Sequence, residues 1–323
     1  MREKTLKPWH GATFFLLIMI VFFVVCVPLQ SHFGLYGVAA TEIILLILAL
    51  LFAKVMGYSL RSLFPVHSPE GLPMVGTILM WISSYILAMV VSLIQYRLFP
   101  GEMETINEGL NDVIYSVPFW VSVIVVALLP AICEEAVHRG VIIHTMYRIR
   151  KEWLVVLIMG IYFGLFHASP LRFLPTAILG AVMSYIMLET ENMVYSSAFH
   201  MINNLVPMVL PEFLLKTSQL QQAQNQLTGT DGTMTVPLIS IGVYLILGAA
   251  VPFGMYLGNY LLHRRDNVTQ PFFPKEQMDR KVLKIAIPSA VFFIALIICF
   301  GLKVVDALSK YINFFPFDIT SFI

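Results

Sequence analysis

Charge is scarce in this chain. Only 12% of its 323 residues are Asp, Glu, Lys or Arg, against about a quarter in an ordinary soluble domain. What charge there is nearly cancels, with 20 Lys and Arg against 19 Asp and Glu for a net +1, and this excludes a strongly basic nucleic-acid binder. Cysteine is also rare. Cys26, Cys133 and Cys299 lie far apart in apolar runs, so neither a disulfide framework nor a Cys-x-x-Cys metal clip is available. There is no His-Glu-x-x-His zinc helix, no Gly-x-Ser-x-Gly elbow, no heptad array and no low-complexity segment. Apolar residues fill the space instead: 58% of the chain is hydrophobic and the mean hydropathy is +0.82. No soluble fold hides that much apolar surface, which rules out a cytosolic enzyme with a small membrane anchor.

A bilayer core about 30 Å thick needs about 20 apolar residues of helix. Nine runs near that size occur, at 12–29, 38–56, 73–97, 118–145, 153–169, 171–188, 192–212, 236–262 and 285–305. The expected fold is an all-α polytopic transmembrane helix bundle of about eight or nine spans; residues 169–192 leave almost no loop on either side of their helix. Arg2, Lys4 and Lys7 resemble a signal-peptide n-region, but the run after them is long and further spans follow, so the first helix reads as uncleaved. The polar stretches are short, at 98–116, 213–235 and 263–284, and the first two read as outer loops. With the N-terminus in the cytoplasm, inner segments carry Lys54, Arg61, Arg148, Arg150, Lys151, Arg264 and Arg265. Outer segments carry only Arg97, Arg172, Lys216, Lys303 and Lys310, which satisfies the positive-inside rule.

Ionisable groups at membrane depth carry the information, because each costs several kcal/mol unless paired or hydrated. The fourth run contains Cys133-Glu134-Glu135-Ala136-Val137-His138-Arg139. Glu135 and Arg139 are i and i+4 with the acid first, the favourable order for an ion pair. That leaves Glu134 about 100° further round the helix, free to face a cavity and within i+4 reach of His138. The fifth run ends Phe163-Gly-Leu-Phe-His167 before Pro170, and the seventh holds His200 and Asn204 on one face. Taken singly, each of these polar residues also reads as a buried hydrogen-bonding group that holds helices together. Together, one carboxylate, two histidines and an asparagine from three helices match what hydrolysis inside a membrane requires: a base for water, a proton relay and oxyanion donors. Glu134, His167 and His200 can equally be read as zinc ligands with an open water position, and spacing does not separate the two chemistries. Glu42 reads as an interfacial residue of a helix starting near 38. At 1.5 Å per residue the motif groups reach the inner half of the bilayer, which predicts a conical cavity open to the cytoplasm or laterally to lipid.

These motifs resemble those of the CPBP intramembrane proteases, the family of CAAX proteases and of bacteriocin-processing and self-immunity proteins. Its pattern is a Glu-Glu-x-x-x-Arg helix, a Phe-x-x-x-His helix and a later His-x-x-x-Asn helix. Glu134-Glu135-…-Arg139, Phe163-…-His167 and His200-…-Asn204 match it in order. The resemblance covers about 118–210. It implies that Glu134 activates water with His167, and that His200 and Asn204 hold the oxyanion or bind water. It further implies that Glu135 and Arg139 form a structural pair, with Phe163 in support. The cofactor it implies is zinc or none. It divides the chain into N-terminal membrane helices (1–117), a catalytic core (118–212) and a C-terminal loop with membrane helices (213–323). The implied function is an endopeptidase for membrane-associated peptides or proteins, in a bacterial plasma membrane, with no nucleic-acid partner. The alternative is a non-proteolytic immunity protein or scaffold that binds a bacteriocin or a sensor protein. A secondary transporter would call for inverted repeats, and neither half holds a second Glu-Glu-x-x-x-Arg.

Overall fold

A computed structural model describes residues 6–214 and 238–264, with Ser289, Ile294, Leu296, Ile297 and Gly301 besides. Every regular element among the described residues is a helix. Apart from the single turn Leu60–Leu63, they are in chain order α1 (Pro8–Phe33), α2 (Leu35–Met56), α3 (Gly71–Leu98), α4 (Pro100–Ile114) and α5 (Phe119–Met146). The chain continues through α6 (Glu152–Phe166), α7 (Pro170–Thr190), α8 (Met193–Leu214), α9 (Leu238–Gly248) and α10 (Val251–Leu262).

Local chemistry sets the boundaries. Pro8, Pro100 and Pro170 open their helices in the first turn, where the missing N–H would be unbonded anyway. The turn from α1 to α2 passes through Gly34 at φ 54° and ψ −129°, a backbone conformation that a Cβ disfavours.

Among the described residues five helices (α1, α2, α3, α5 and α7) are long and apolar enough to cross a membrane, and the bent pair of α9 and α10, 44° apart, makes a sixth. The chain is an integral membrane helix bundle, and among the described residues length and apolarity support five or six of the eight or nine expected spans. Helix α6 has 15 residues, about 22 Å at 1.5 Å each, too short to cross alone. The polar side chains of α8 dilute its apolar character. The run at 285–305 and the polar stretch at 213–235 fall almost wholly outside the described residues.

The stretch at 98–116 is not a loop. It forms α4, with Met103, Ile106 and Val113 half-buried and Ile114 buried. Sparse apolar residues at three- and four-residue spacing make an amphipathic helix that a search for long apolar runs passes over.

Helix α5 is the centre of the bundle: 56% of its apolar window is buried, against 17–33% for the other spanning helices. On one side Phe14, Ile18, Leu45, Ala49, Val137, Val141, Met159 and Phe166 form a core joining α1, α2, α5 and α6. On the other, Met80, Phe163, Met183, Ile186, Tyr195 and Phe199 join α3, α6, α7 and α8. The short α6 turns back into α7 through Ala168, which has a left-handed φ of 51°. The two then pack closely, because Gly160 and Gly164 present no Cβ to the Ala177 and Phe173 carbonyls.

The ends of the bundle differ in charge. Lys7, Lys54, Arg61, Arg148, Arg150, Lys151 and Arg264 gather at the end where α1 begins. Helix α4 lies at the opposite end.

Candidate active site

Glu134 and Glu135 are adjacent on α5 and face different surroundings. Glu135 is fully buried; its Oε1 accepts a 2.6 Å bond from Arg139 Nη1 and lies 3.1 Å from His200 Nδ1. Arg139, also fully buried, donates through Nη2 to the Gly180 carbonyl at 2.8 Å and lies over the Phe163 ring, 4.8 Å from its centroid. Such a cation, held by a carboxylate, a carbonyl and an aromatic face, offsets the desolvation that a lone buried charge could not bear. Gly180 is required there: a Cβ on it would sit 2.5 Å from the Phe163 Cβ.

His200 is consequently oriented. Its Nδ1–H donates to Glu135, which turns Nε2 toward Glu134 Oε2, 3.8 Å away. That Oε2 is buried and has no hydrogen-bond partner among the described residues. His167, the last residue of the α6 turn, donates Nδ1–H to the Phe163 carbonyl at 2.9 Å, leaving Nε2 as the free nitrogen. Phe163 is the common neighbour, its ring packing edge-on to His138, His167 and His200 at centroid distances of 5.1, 5.0 and 5.6 Å. Asn204 donates to the Val126 carbonyl at 3.0 Å, and its Oδ1 accepts from Asn203, so one amide hydrogen remains free among the described residues.

Glu134, His167, His200 and Asn204 all line one cavity of about 750 Å³. His138 does not: its Nδ1–H donates to the Glu134 backbone carbonyl instead of reaching the side chain. The wall also holds three groups that sequence reasoning missed or misplaced. Glu42 is 4% exposed and lines the cavity; α2 starts at Leu35 rather than 38, which carries this residue two turns inside. Arg172, assigned to an outer segment, lines the cavity in electrostatic reach of Glu134. Asn203 completes the rim beside Asn204. The one available signal was position: Glu42 sits in an apolar run, and Arg172 lies five residues after His167.

Glu134, His167 and His200 surround the cavity without converging as a ligand set. Among the described residues no three His, Cys, Asp or Glu side chains are placed to hold one metal ion, and His200 Nδ1 is already committed to Glu135.

The cavity opens at the end of the bundle away from the N-terminus, where Gln30, Glu104, Asn107, Glu108 and Asn111 form its mouth. Of the two openings expected from the sequence, to the cytoplasm or laterally to lipid, the first would lie at the other, N-terminal end. The recessed turn after the short α6 leaves space on the α4 side.

Residues 116–206 match the family model described as Type II CAAX prenyl endopeptidase Rce1-like. This is the family that the three motifs resemble, and the matched segment contains all of them. No curated protein and no solved structure matches the chain significantly.

Proposed function

We propose that the chain is an intramembrane endopeptidase that cleaves membrane-associated peptides or proteins, with the segment 118–212 as its catalytic unit. The observation that carries this reading is Glu134 Oε2: a buried carboxylate oxygen in a cavity wall, without a hydrogen-bond partner among the described residues, 3.8 Å from an imidazole nitrogen. An unpartnered buried acceptor is costly unless a water or substrate group completes it.

In this reading a water held between Glu134 and His167 adds to the scissile carbonyl as Glu134 takes its proton. His200, fixed by Glu135 and through it by Arg139, orients that carboxylate. The free amide hydrogen of Asn204 faces the developing oxyanion. The tetrahedral intermediate collapses with cleavage of the C–N bond, and the proton on Glu134 passes to the leaving amine. Water and the protein's own groups balance the reaction.

The location is a bacterial plasma membrane with the N-terminus in the cytoplasm, supported by the basic end of the bundle. The cavity mouth then faces the non-cytoplasmic side. The test is Glu134→Gln in lipid nanodiscs with internally quenched peptides as substrates. Loss of general-base assistance lowers the rate by about 10²- to 10⁴-fold at unchanged melting temperature. A variant that cleaves at the full rate removes the hydrolase reading.

A further inference from the structure

The mouth has a chemistry of its own. Helix α4 presents Glu104, Asn107, Glu108 and Asn111 to the cavity, the i, i+3, i+4, i+7 spacing of a single helix face. Segment 98–116 contains Glu102 and Asp112 as well and no Lys or Arg. Deeper in the same cavity stands Glu42, 4% exposed, its Oε2 without a hydrogen-bond partner among the described residues. The wall thus carries four carboxyl groups, Glu42 and Glu134 buried and Glu104 and Glu108 toward the mouth, against the single guanidinium of Arg172. Carboxylates that line one cleft with apolar walls add their fields and concentrate cations within it. Two of them serve neither the proposed chemistry nor the packing: Glu104 and Glu108 form no ion pair among the described residues, and Glu108 is exposed.

We propose that the α4 face is a capture surface for a cationic peptide segment, whose Lys or Arg side chains pair with Glu104 and Glu108 and lead the chain down to Glu42 and Glu134. Cleavage of the captured segment rests on the hydrolase reading; capture itself does not. The segment arrives on the membrane face opposite the one that bears the protein's own basic residues, so those residues do not compete for the site.

Binding is measured by fluorescence anisotropy on nanodisc-embedded protein carrying Glu134→Gln, so no probe is consumed. The probe is a fluorescein-labelled peptide of leucines and four lysines, and its counterpart has glutamates in place of the lysines. The lysine peptide binds more tightly. The double variant E104Q/E108Q weakens it about threefold to tenfold at low ionic strength, the scale of two exposed charge pairs. The difference shrinks as salt shortens the screening length to about 10 Å and below. The charge-reversed E104K/E108K prefers the glutamate peptide. Equal binding of both peptides, or a lysine-peptide affinity unmoved by either double variant, overturns the proposal. An inactive wild type whose binding still tracks charge removes the hydrolase reading and leaves the capture surface standing.

Discussion

Arg139 shows how a single residue can be indispensable without touching a substrate. It links Glu135, the Gly180 carbonyl and the Phe163 face, and through Glu135 it fixes the direction of His200. Arg139→Ala strands a fully buried carboxylate and costs about 3–5 kcal/mol, read as a lowered unfolding midpoint in detergent. The double change E135Q/R139M costs less, because no lone charge remains. Asn204 separates two roles more finely. Asn204→Ala removes the hydrogen bond to Val126 and the one accepted from Asn203, about 1 kcal/mol of stability each. Loss of an oxyanion donor lowers kcat by about 10²- to 10³-fold, so peptide-cleavage kinetics beside a melting curve decide between glue and chemistry. The sequence made Glu134, Glu135, Arg139, His167, His200 and Asn204 legible, because charged or polar side chains in apolar runs stand out and their i+4 spacing is visible. Glu42 and Arg172 stayed hidden, since their depth depends on where a helix starts and how far a turn is recessed.

At the scale of elements, the long apolar helices were readable from hydropathy, while α4 and the shortness of α6 were not. Amphipathic α4 has no apolar run to betray it, and α6 merges in the sequence with residues that belong to the turn at Ala168. The turn matters because it ends α6 with His167 in the cavity and starts α7 with Arg172 beside it. A second tie holds α7 to α10 at the basic end: His263 Nε2 donates to Glu189 at 2.6 Å, and Tyr185 donates to Asn259. The Glu189 carboxylate beside His263 raises the imidazole's pKa above the ordinary value of 6.5. A raised histidine contributes its stability in full below its unfolded pKa and loses it as pH climbs through the folded value. The thermal midpoint in detergent accordingly falls modestly as pH rises above about 6.5, and His263→Gln flattens that dependence. The pair is partly exposed, so salt reduces the effect.

At the scale of the whole molecule, hydropathy and charge asymmetry gave the membrane class and an axis, but not the end at which the cavity opens. That depends on tertiary packing: α4 lies across the end of the bundle away from the basic residues, above the recessed α6–α7 turn. The axis is open to direct measurement. In a variant with Cys26, Cys133 and Cys299 replaced by serine, a cysteine introduced by Asn107→Cys reacts with a membrane-impermeant maleimide in right-side-out vesicles, whereas one at Arg150 does not. The reverse pattern places the mouth in the cytoplasm. The position of this opening also bears on what can be cut. A peptide in the middle of a spanning helix has its carbonyls locked in the i−4 ladder and ringed by acyl chains, and a funnel sunk from one end of the bundle cannot reach it sideways without unwinding it. A tail or a frayed terminus, already stretched out and wet, fits down such a shaft unaided. In the proposed hydrolase, such a shaft favours loose ends at the water's edge over intact spans.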